Sequence, residues 1–247
     1  MQAVILAAGM GSRLGEMTKN IPKPLIFLNG KTLLGRKLDK LLQVKDISEI
    51  IIVVGHMGEK IEEFVKSNYP EENIRVIYNP NYKKGGVITL LKSEPYIKEG
   101  FILLNADHLF SSKVYQKLVQ EMGGLTICSF LNRKPYDDEM KIKYHENGPV
   151  ELSKKHQTYD AGYCGLASVS KEAVEDYFKI AKEMLVSEGE MVVPESLVLP
   201  FSKKGLTVKN CDLSEYNFVE VDTPEDYSIA QEKIKLVDAE DSQNGRD

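Results

Sequence analysis

The chain has 247 residues, with 32 lysines and arginines against 37 aspartates and glutamates, and a formal net charge of -5 at pH 7. This acidic balance argues against a nucleic-acid partner, which normally requires a basic face. The three cysteines are widely spaced and indicate neither a disulfide framework nor a CxxC site. No apolar run approaches the ~18 residues of a membrane span, so we expect a cytoplasmic protein without a membrane span.

In the first half of the chain, short apolar runs alternate with amphipathic stretches. QAVILAA, EIIIVVG, RVIYN, FILLNAD and GLTICSFL have the composition of buried strands, and TLLGRKLDKLLQV and GEKIEEFVKSN have helical periodicity. Strands and helices in alternation form a mostly parallel sheet with helices on both faces. The sequence therefore predicts a doubly wound α/β fold.

The pattern changes after residue 131. KIKYHENGPVEL has two alternating polar and apolar arms around Asn147 and Gly148, which is typical of a β-hairpin. AGYCGLASVS, LTVKNCDL and NFVEV then predict strands, and EAVEDYFKIAKEML predicts an amphipathic helix. We therefore expect a small β excursion beside the main sheet.

The last predicted helix is TPEDYSIAQEKI. Thr223 is placed to cap it, Pro224 suits its first turn, and Asp226 stands where a capping box has a carboxylate. Without a linker or repeat to divide the chain, we expect a single domain over residues 1–235. The polar residues 236–247 lack periodicity, so we expect a tail without fixed structure.

The first strand leads directly into the loop GMGSRL. Glycines after a strand let the backbone approach a phosphate, and Arg13 is a candidate counter-charge. Residues 9–24 carry three cations and one carboxylate in a chain that is otherwise acidic. The loop is not a dinucleotide fingerprint, because Leu14 stands where that motif has its third glycine, and the Walker A pattern is also absent. Two glycines alone are also compatible with a purely structural turn that binds no ligand.

The full run AAGMGSRLGEMTKNIPKPL resembles the signature of the sugar-nucleotide and related nucleotidyltransferases, AAGxGxRL followed by PKPL. NADHLF and FVEVDTPEDY extend the resemblance over most of the chain, and the family's Rossmann-like sheet agrees with the doubly wound pattern. In that family the glycine loop wraps the triphosphate of a nucleotide. The resemblance implies nucleotide contacts by Ala7, Ala8, Gly9 and Gly11, and charge neutralisation on the phosphates by Arg13 and Lys23.

Two aspartates are candidate ligands for Mg2+. Asp107 closes the apolar run FILLNAD, and ligands of open α/β sheets lie at the carboxyl ends of strands. Asp222 closes FVEV near the chain end, although a residue at a helix entry can also have this place. Mg2+ prefers oxygen ligands, often one or two carboxylates with phosphate and water. The four histidines show no metal-ligand spacing.

The reaction implied by the resemblance is attack of an acceptor phosphate on the α-phosphorus of the nucleotide. A phosphomonoester has a second pKa near ~6, so it is already an anion at neutral pH and needs no general base. The reaction does need charge neutralisation and in-line placement. We therefore expect cations and a metal at the site rather than a nucleophile and its base.

The segment NPNYKKGGVITLLKS indicates which nucleotide is used. It lacks the glutamine-rich stretch of the thymidylyl- and uridylyltransferases and resembles the CTP-using branch, which includes the phosphocholine and inositol-1-phosphate cytidylyltransferases. By that match, Gly85, Gly86 and Thr89 border the cytosine and ribose. A plain loop and helix start remains the alternative for these three residues.

The acceptor segment DDEMKIKYHENGPVELSKK, with YDAGYCG, resembles the inositol-phosphate branch. The resemblance implies that Glu139 and Asp160 bind hydroxyl groups and that Lys141 binds the acceptor phosphate. We therefore expect CTP and a small phosphomonoester, myo-inositol 1-phosphate, as substrates. The sequence leaves the oligomeric state open.

Other functions stay open at this stage. The aromatic residues Tyr136, Tyr159 and Tyr163 would allow a pocket for phosphocholine, whose cation binds aromatic faces. A sugar 1-phosphate with another nucleotide is a second acceptor alternative. A nucleotide-sensing module without turnover is the alternative from another class, and the joint presence of Arg13 and Lys23 with both aspartates disfavours it.

Overall fold

The structure is a computed structural model that describes residues 1–135, 139–145 and 150–242. The strands are β1 (Gln2–Ala7), β2 (Phe27–Leu28), β3 (Lys31–Thr32), β4 (Glu49–Val54), β5 (Ile74–Tyr78), β6 (Phe101–Asn105), β7 (His108–Leu109), β8 (Leu125–Phe130), β9 (Lys141–Tyr144), β10 (Val150–Ser153), β11 (Ala161–Val169), β12 (Val208–Asp212) and β13 (Val219–Glu220). The helices are α1 (Leu33–Leu42), α2 (Gly58–Asn68), α3 (Gly86–Leu91), α4 (Ser112–Glu121), α5 (Val174–Glu188), α6 (Val198–Lys203) and α7 (Pro224–Ser242). None of these helices is both long and apolar enough to cross a membrane.

Nine of the described strands form one sheet. Its parallel part has the order β6-β1-β4-β5, and β11 continues it on the other side of β6 in the antiparallel direction. In this register Leu6 lies opposite Asn105 and Ala7 lies opposite Val54. The loop after β1 and the turn after β6 therefore leave the same edge of the sheet side by side.

Helices cover both faces of the sheet, because its central strands are apolar on both sides. Along β1, Ala3 and Ile5 belong to the core packed against α1, α2 and α4, whereas Val4 faces the core formed with α3, α5 and α6. Buried parallel strands of this kind require cover on both faces. The predicted doubly wound α/β fold is confirmed.

The predicted β excursion is also present. Strands β9 and β10 pair in the antiparallel direction, with Tyr144 opposite Val150, and β9 adjoins the start of β11. The predicted turn at Asn147 and Gly148 lies outside the described residues. The arms alone place this hairpin beside the carboxyl ends of the parallel strands, because β11 passes next to β6.

The start of α7 follows the predicted capping box. The amide of Asp226 donates to Oγ1 of Thr223 at 3.1 Å, and the amide of Thr223 donates to the Asp226 carboxylate at 2.8 Å. These bonds satisfy donors that a helix start leaves unpaired. The capping box fixes the backbone next to Asp222.

The prediction of an unstructured tail over residues 236–247 is wrong for residues 236–242, which continue α7. Val237 is buried there, and Asp238 accepts a hydrogen bond from Arg36 of α1 at 2.8 Å. Asp241 accepts from the amide and the hydroxyl of Ser112 at 2.8 and 2.7 Å. The carboxylates that suggested solvation therefore bind groups far away in the sequence. Residues 243–247 lie outside the described residues.

Candidate active site

The loop after β1 is shaped by Gly11 and by the side chain of Lys23. Gly11 has φ 65° and ψ 25°, in the left-handed region, and a Cβ there would lie 2.9 Å from Cβ of Lys23 and 3.1 Å from Cγ2 of Thr18. Both the backbone conformation and the close approach therefore require glycine. Gly11 allows the Lys23 chain to pass directly beneath the loop.

The loop borders a cavity of about 300 Å³, called here the loop cavity, which is lined by residues 9–13 together with Lys23, Asp107 and Asp222. A Cβ added at Gly9 would meet no atom within 4 Å among the described residues. Packing inside the protein thus gives no reason for glycine at this position, whereas a ligand approaching the backbone would. The free space above Gly9 opens on the cavity.

The predicted nucleotide residues before the loop differ in placement. Ala7 lines the loop cavity. Ala8 is buried and does not line it, and the Ala8 carbonyl accepts a hydrogen bond from the His56 amide at 3.2 Å. This bond ties the loop after β1 to the loop after β4, so Ala8 supports the cavity from within the fold.

Lys23 joins the two predicted metal ligands. Its Nζ donates to Oδ2 of Asp107 at 2.7 Å and to Oδ1 of Asp222 at 2.9 Å. The guanidinium of Arg13 forms an ion pair with the second carboxylate oxygen of Asp222. The structure thus brings together the four charged residues that the sequence assigned to the phosphates and the metal.

Burial and charge act in opposite directions on Lys23. Burial alone would lower the pKa of Lys23, but the charges of Asp107 and Asp222 and their hydrogen bonds raise it above its ordinary value. The ammonium is therefore retained between the carboxylates. Two carboxylates arranged around one cation match the oxygen ligands that Mg2+ prefers, so Asp107 and Asp222 fit the predicted metal.

His108 lies against the first of these carboxylates. Its Nδ1 is 2.8 Å from Oδ1 of Asp107, and its Nε2 is 3.5 Å from the Glu220 carboxylate. Burial lowers the pKa of His108, but the charges and hydrogen bonds of Asp107 and Glu220 outweigh it and raise that pKa to about 10. Burial of Asp107 is outweighed in the same way by His108 and Lys23, which hold its pKa well below the usual range. One ligand atom each from Asp107, His108 and Glu220 lies within 4.8 Å of the other two, so this group could also hold a cation.

A second cavity of about 230 Å³, called here the hairpin cavity, is lined by the same two aspartates. It shares Arg13, Asp107 and Asp222 with the loop cavity. The other charged side chains that line it are His108, Glu139, Lys154, Glu195 and Glu220. A reacting group in either cavity would therefore face the same pair of carboxylates.

Two features shape the hairpin cavity. Gly165 has φ 71°, and a Cβ there would lie 3.0 Å from Cε1 of His108 and 3.1 Å from Nδ2 of Asn105, so only glycine fits. Glu139, a predicted acceptor residue, accepts two hydrogen bonds of 2.8 Å from the Arg133 guanidinium. The Arg133 guanidinium also lies 5.0 Å from the ring centre of Phe218. Glu139 is thus held in place as an ion pair at the cavity wall.

The other two predicted acceptor residues do not line either cavity. Nζ of Lys141 donates to the carbonyl oxygen of Lys154 at 3.1 Å. Asp160 accepts from the amide of Tyr144 at 2.8 Å, within the hairpin region. In the described residues both side chains support the hairpin, and their contacts with an acceptor stay predictions.

The predicted base-binding residues also lie outside both cavities. The Gly85 amide donates to the Glu190 carbonyl at 2.7 Å, and a Cβ on Gly85 would lie 2.5 Å from that oxygen. A Cβ on Gly86 would meet Pro194 at 2.9 Å. Close packing inside the protein therefore explains why glycine occupies both positions.

Thr89 has a similar internal role. It is buried, and its hydroxyl accepts from Nδ2 of Asn79 at 3.0 Å. Ligand roles for Gly85, Gly86 and Thr89 stay predictions, since the structure gives each of them a partner within the fold.

Besides His108, three charged residues of the hairpin cavity were missed by the sequence analysis: Lys154, Glu195 and Glu220. Glu220 could have been found, because residues two apart on a strand face the same side and Glu220 precedes Asp222 by two. Lys154 directly follows β10. The predicted hairpin therefore indicated its position only weakly, compared with the strand pattern that marks Glu220. Glu195 lies in the short helical turn Pro194–Leu197, which no motif marked.

Comparison with known proteins gives consistent relatives. Residues 3–136 match the family model of the MobA-like NTP transferase domain. A Rubrobacter xylanophilus protein named bifunctional IPC transferase and DIPP synthase is 29% identical over 235 residues, covering 94% of this chain and 51% of that protein. The Aquifex aeolicus protein of the same name is 28% identical, again over 94% of this chain and 51% of its own length. The chain thus spans about half the length of these curated relatives.

Two solved structures share the fold of this chain. The inositol-1-phosphate CTP transferase from T. maritima superposes with a TM-score of 0.79 at 20% identity, over 95% of this chain and 96% of that one. The CTP:phosphocholine cytidylyltransferase from Streptococcus pneumoniae superposes with a TM-score of 0.74 at 24% identity, over 94% and 98%. At these identities the two structures show a shared fold.

Proposed function

The chain belongs to the family of MobA-like NTP transferase domains, and we propose that it transfers a cytidylyl group from CTP to myo-inositol 1-phosphate with release of pyrophosphate. The resemblance to nucleotidyltransferases in the glycine loop and PKPL is confirmed by this membership. The proposal concerns the two substrates, CTP and the inositol phosphate, and the metal ion Mg2+.

One observation carries the proposal: the two cavities meet at Asp107 and Asp222. The loop cavity has exposed backbone at Gly9 and cations at Arg13 and Lys23, as a triphosphate requires. The hairpin cavity offers a lysine and several carboxylates to a second molecule. A nucleotide in the loop cavity and an acceptor in the hairpin cavity would therefore both lie next to the shared aspartates, where their reacting atoms can meet.

The proposed reaction balances without a protein nucleophile. An oxygen of the acceptor phosphate forms a bond to the α-phosphorus, and the bond from that phosphorus to the bridging oxygen of pyrophosphate breaks. The electron pair of the broken bond leaves with pyrophosphate. The acceptor phosphate is an anion at neutral pH because its second pKa is near ~6, so it needs no base.

The charged residues have distinct roles in this reaction. Lys23 and Arg13 neutralise the phosphates, and Lys23 is already held at the site by both aspartates. Asp107 and Asp222 would hold Mg2+, which supplies charge stabilisation at the phosphoryl oxygens. Fixed charges placed where negative charge develops lower the barrier because they need no reorganisation during the reaction.

The choice of CTP and an inositol phosphate rests on similarity. The segment NPNYKKGGVITLLKS resembles the CTP-using branch, and a relative with IPC transferase in its name matches over 94% of this chain. The T. maritima transferase of inositol 1-phosphate and CTP shares the fold over nearly the whole chain. These likenesses support the proposal for this chain.

A phosphomonoester with a cationic group is the second candidate acceptor. Its support is the carboxylates of Glu139, Glu195 and Glu220 around the hairpin cavity, together with the ring of Phe218. Carboxylates and aromatic faces bind quaternary ammonium groups. Glu139 is already paired with Arg133, which leaves it less available to a cation and favours a polyol.

The proposal is tested by pyrophosphate release over a grid of four nucleoside triphosphates and several phosphomonoesters with Mg2+. We expect the fastest release with CTP and inositol 1-phosphate. Faster release with CTP and phosphocholine would identify phosphocholine as the acceptor in place of inositol 1-phosphate. Faster release with UTP and glucose 1-phosphate would reject the proposal. No release with any pair would leave a binding module.

A further inference from the structure

Lys37 is a buried lysine on the apolar face of α1. It is 1% exposed, and its neighbours on that face, Leu34, Leu38 and Leu41, are also fully buried. Within the described residues it forms no ion pair with a carboxylate. Burial lowers the pKa of Lys37 to about 7, which the charge of Asp107 opposes only in part. An unpaired ammonium in a core is costly, so its contacts need an explanation.

The contacts of Lys37 are two backbone carbonyls. Its Nζ donates to the carbonyl oxygen of Asn105 at 2.7 Å and also to the carbonyl oxygen of His108. These two residues end β6 and begin β7. Lys37 therefore connects both ends of the turn between these strands to α1.

The turn that Lys37 connects carries Asp107. Its side chain lines both cavities, and its backbone carbonyl accepts from the Val221 amide at 3.1 Å, next to Asp222. A methionine would fill the space of Lys37 at no electrostatic cost, but it would leave both carbonyls without this donor. The lysine is therefore explained by the turn and not by the packing of α1.

We propose that Lys37 is a positioning residue for the metal site: it holds the Asn105–His108 turn so that the Asp107 carboxylate faces Asp222 across a bound cation. This role rests on the proposed function only in requiring a divalent cation at the two aspartates. Lys37 touches neither cavity, so it acts through the backbone of the turn.

A purely structural role predicts a different result from a positioning role. The test variant is Lys37→Met, and the matched control is Leu41→Ala, which removes a buried side chain one turn further along α1. Both variants should melt at lower temperature than the wild type. The decisive readout is Mn2+ binding, measured by electron paramagnetic resonance in the presence of α,β-methylene-CTP.

We expect Lys37→Met to raise the Kd for Mn2+ by about tenfold or more, as for other residues that orient a metal ligand, with Leu41→Ala near the wild-type Kd. A wild-type Kd in Lys37→Met would overturn the positioning role. If Lys37→Met does not fold, Lys37→Leu decides in the same way, because leucine also offers no donor to the two carbonyls. Failure of both Lys37 variants to fold, while Leu41→Ala folds, would assign Lys37 to stability alone.

The same experiment separates this inference from the proposed function. A wild type that binds Mn2+ with the CTP analogue but releases no pyrophosphate with any acceptor would remove the proposed reaction and leave the test of Lys37 intact. A wild type that binds no Mn2+ under these conditions would overturn the cation site and, with it, the role of Lys37.

Discussion

The loop cavity and the hairpin cavity meet at the same two aspartates but are built in different ways. Most of the loop cavity comes from the chain between Leu6 and Pro24, completed by the turn after β6 and by Asp222. The hairpin cavity is assembled from separate segments that include Glu139, Lys154, Glu195 and Glu220. A site made of consecutive residues can be recognised as a motif, whereas a site made of distant ones requires the fold.

The two cavities also differ in how their walls are fixed. Backbone geometry determines the loop cavity, where Gly11 has a positive φ and packs against Lys23. A side-chain ion pair fixes one part of the hairpin cavity, where Arg133 holds Glu139. Substitutions should therefore separate a nucleotide defect from an acceptor defect, except at residues that line both cavities, which include Arg13, Asp107 and Asp222.

The largest effect is expected at Asp107 and Asp222, which line both cavities. Asp107→Asn and Asp222→Asn should each reduce kcat by about 100 to 1,000-fold, since each removes one preorganised charge at the reacting phosphorus. The double variant should be scarcely slower than either single one, because both carboxylates act on one cation. Steady-state rates at saturating Mg2+ with thermal melts as a folding control measure this. Asp222→Asn within a few-fold of wild type would remove Asp222 as a ligand.

The next prediction isolates the acceptor side. Lys154→Ala should raise the KM for the acceptor by about 10 to 100-fold, the effect of losing a hydrogen bond between charged groups, and leave the KM for CTP unchanged. Lys141→Ala serves as the comparison. The sequence predicts Lys141 as the phosphate ligand, but its Nζ donates to the Lys154 carbonyl, so its effect should be smaller. An equal rise in the KM for CTP in Lys154→Ala would contradict an acceptor role.

Substitutions at the two glycines of the loop test the loop cavity, where the nucleotide is proposed to bind. Gly11→Ala should lower stability by about 1–2 kcal/mol because alanine is strained at positive φ, and should also slow turnover through contact with Lys23. Gly9→Ala should keep the wild-type melting temperature, since its Cβ meets no described atom within 4 Å, but raise the KM for CTP. A Gly9→Ala variant with normal CTP kinetics would mean that no ligand approaches this backbone.

The smallest effect is expected at the capping box, which lies beside the site but outside both cavities. Thr223→Ala removes the hydroxyl that accepts from the Asp226 amide and should cost about 1 kcal/mol of stability. Denaturant unfolding measures this change. Turnover should stay near the wild-type value, because the Asp222 amide still donates to the Asp226 carboxylate at 3.2 Å. A large loss of kcat would show that the cap itself positions Asp222.

The sequence predicted those parts of the molecule that depend on local pattern. Apolar runs such as QAVILAA identified the parallel strands because a strand buried on both faces has no other composition. The capping box of α7 was predicted because its two partners, Thr223 and Asp226, are three residues apart. The phosphate-binding roles of Arg13 and Lys23 came from a family resemblance, and Asp107 and Asp222 were predicted from their places at strand ends; the structure brings all four together.

The errors have the opposite origin. Residues 236–242 were predicted to be unstructured because their charges suggested solvation, but the partner of Asp238 is Arg36, 202 positions away. Likewise, His108 showed no ligand spacing in the sequence, yet the turn after β6 places it against Asp107 and within reach of Glu220 on β13. Periodicity indicates which side of an element is buried and says nothing about the distant group that meets it.

The separation of 199 positions between Lys23 and Asp222 sets an order of events during synthesis. Proteins are made from the N-terminus, and early segments begin to fold while later ones are still being added. The strands β1, β4, β5 and β6 and the ion pair of Lys23 with Asp107 are all available before β13 and α7 exist. Until Asp222 emerges from the ribosome, the nascent chain lacks the second carboxylate of the site, so Arg13, Lys23 and the two aspartates come together only after the segment that contains β13 has been made.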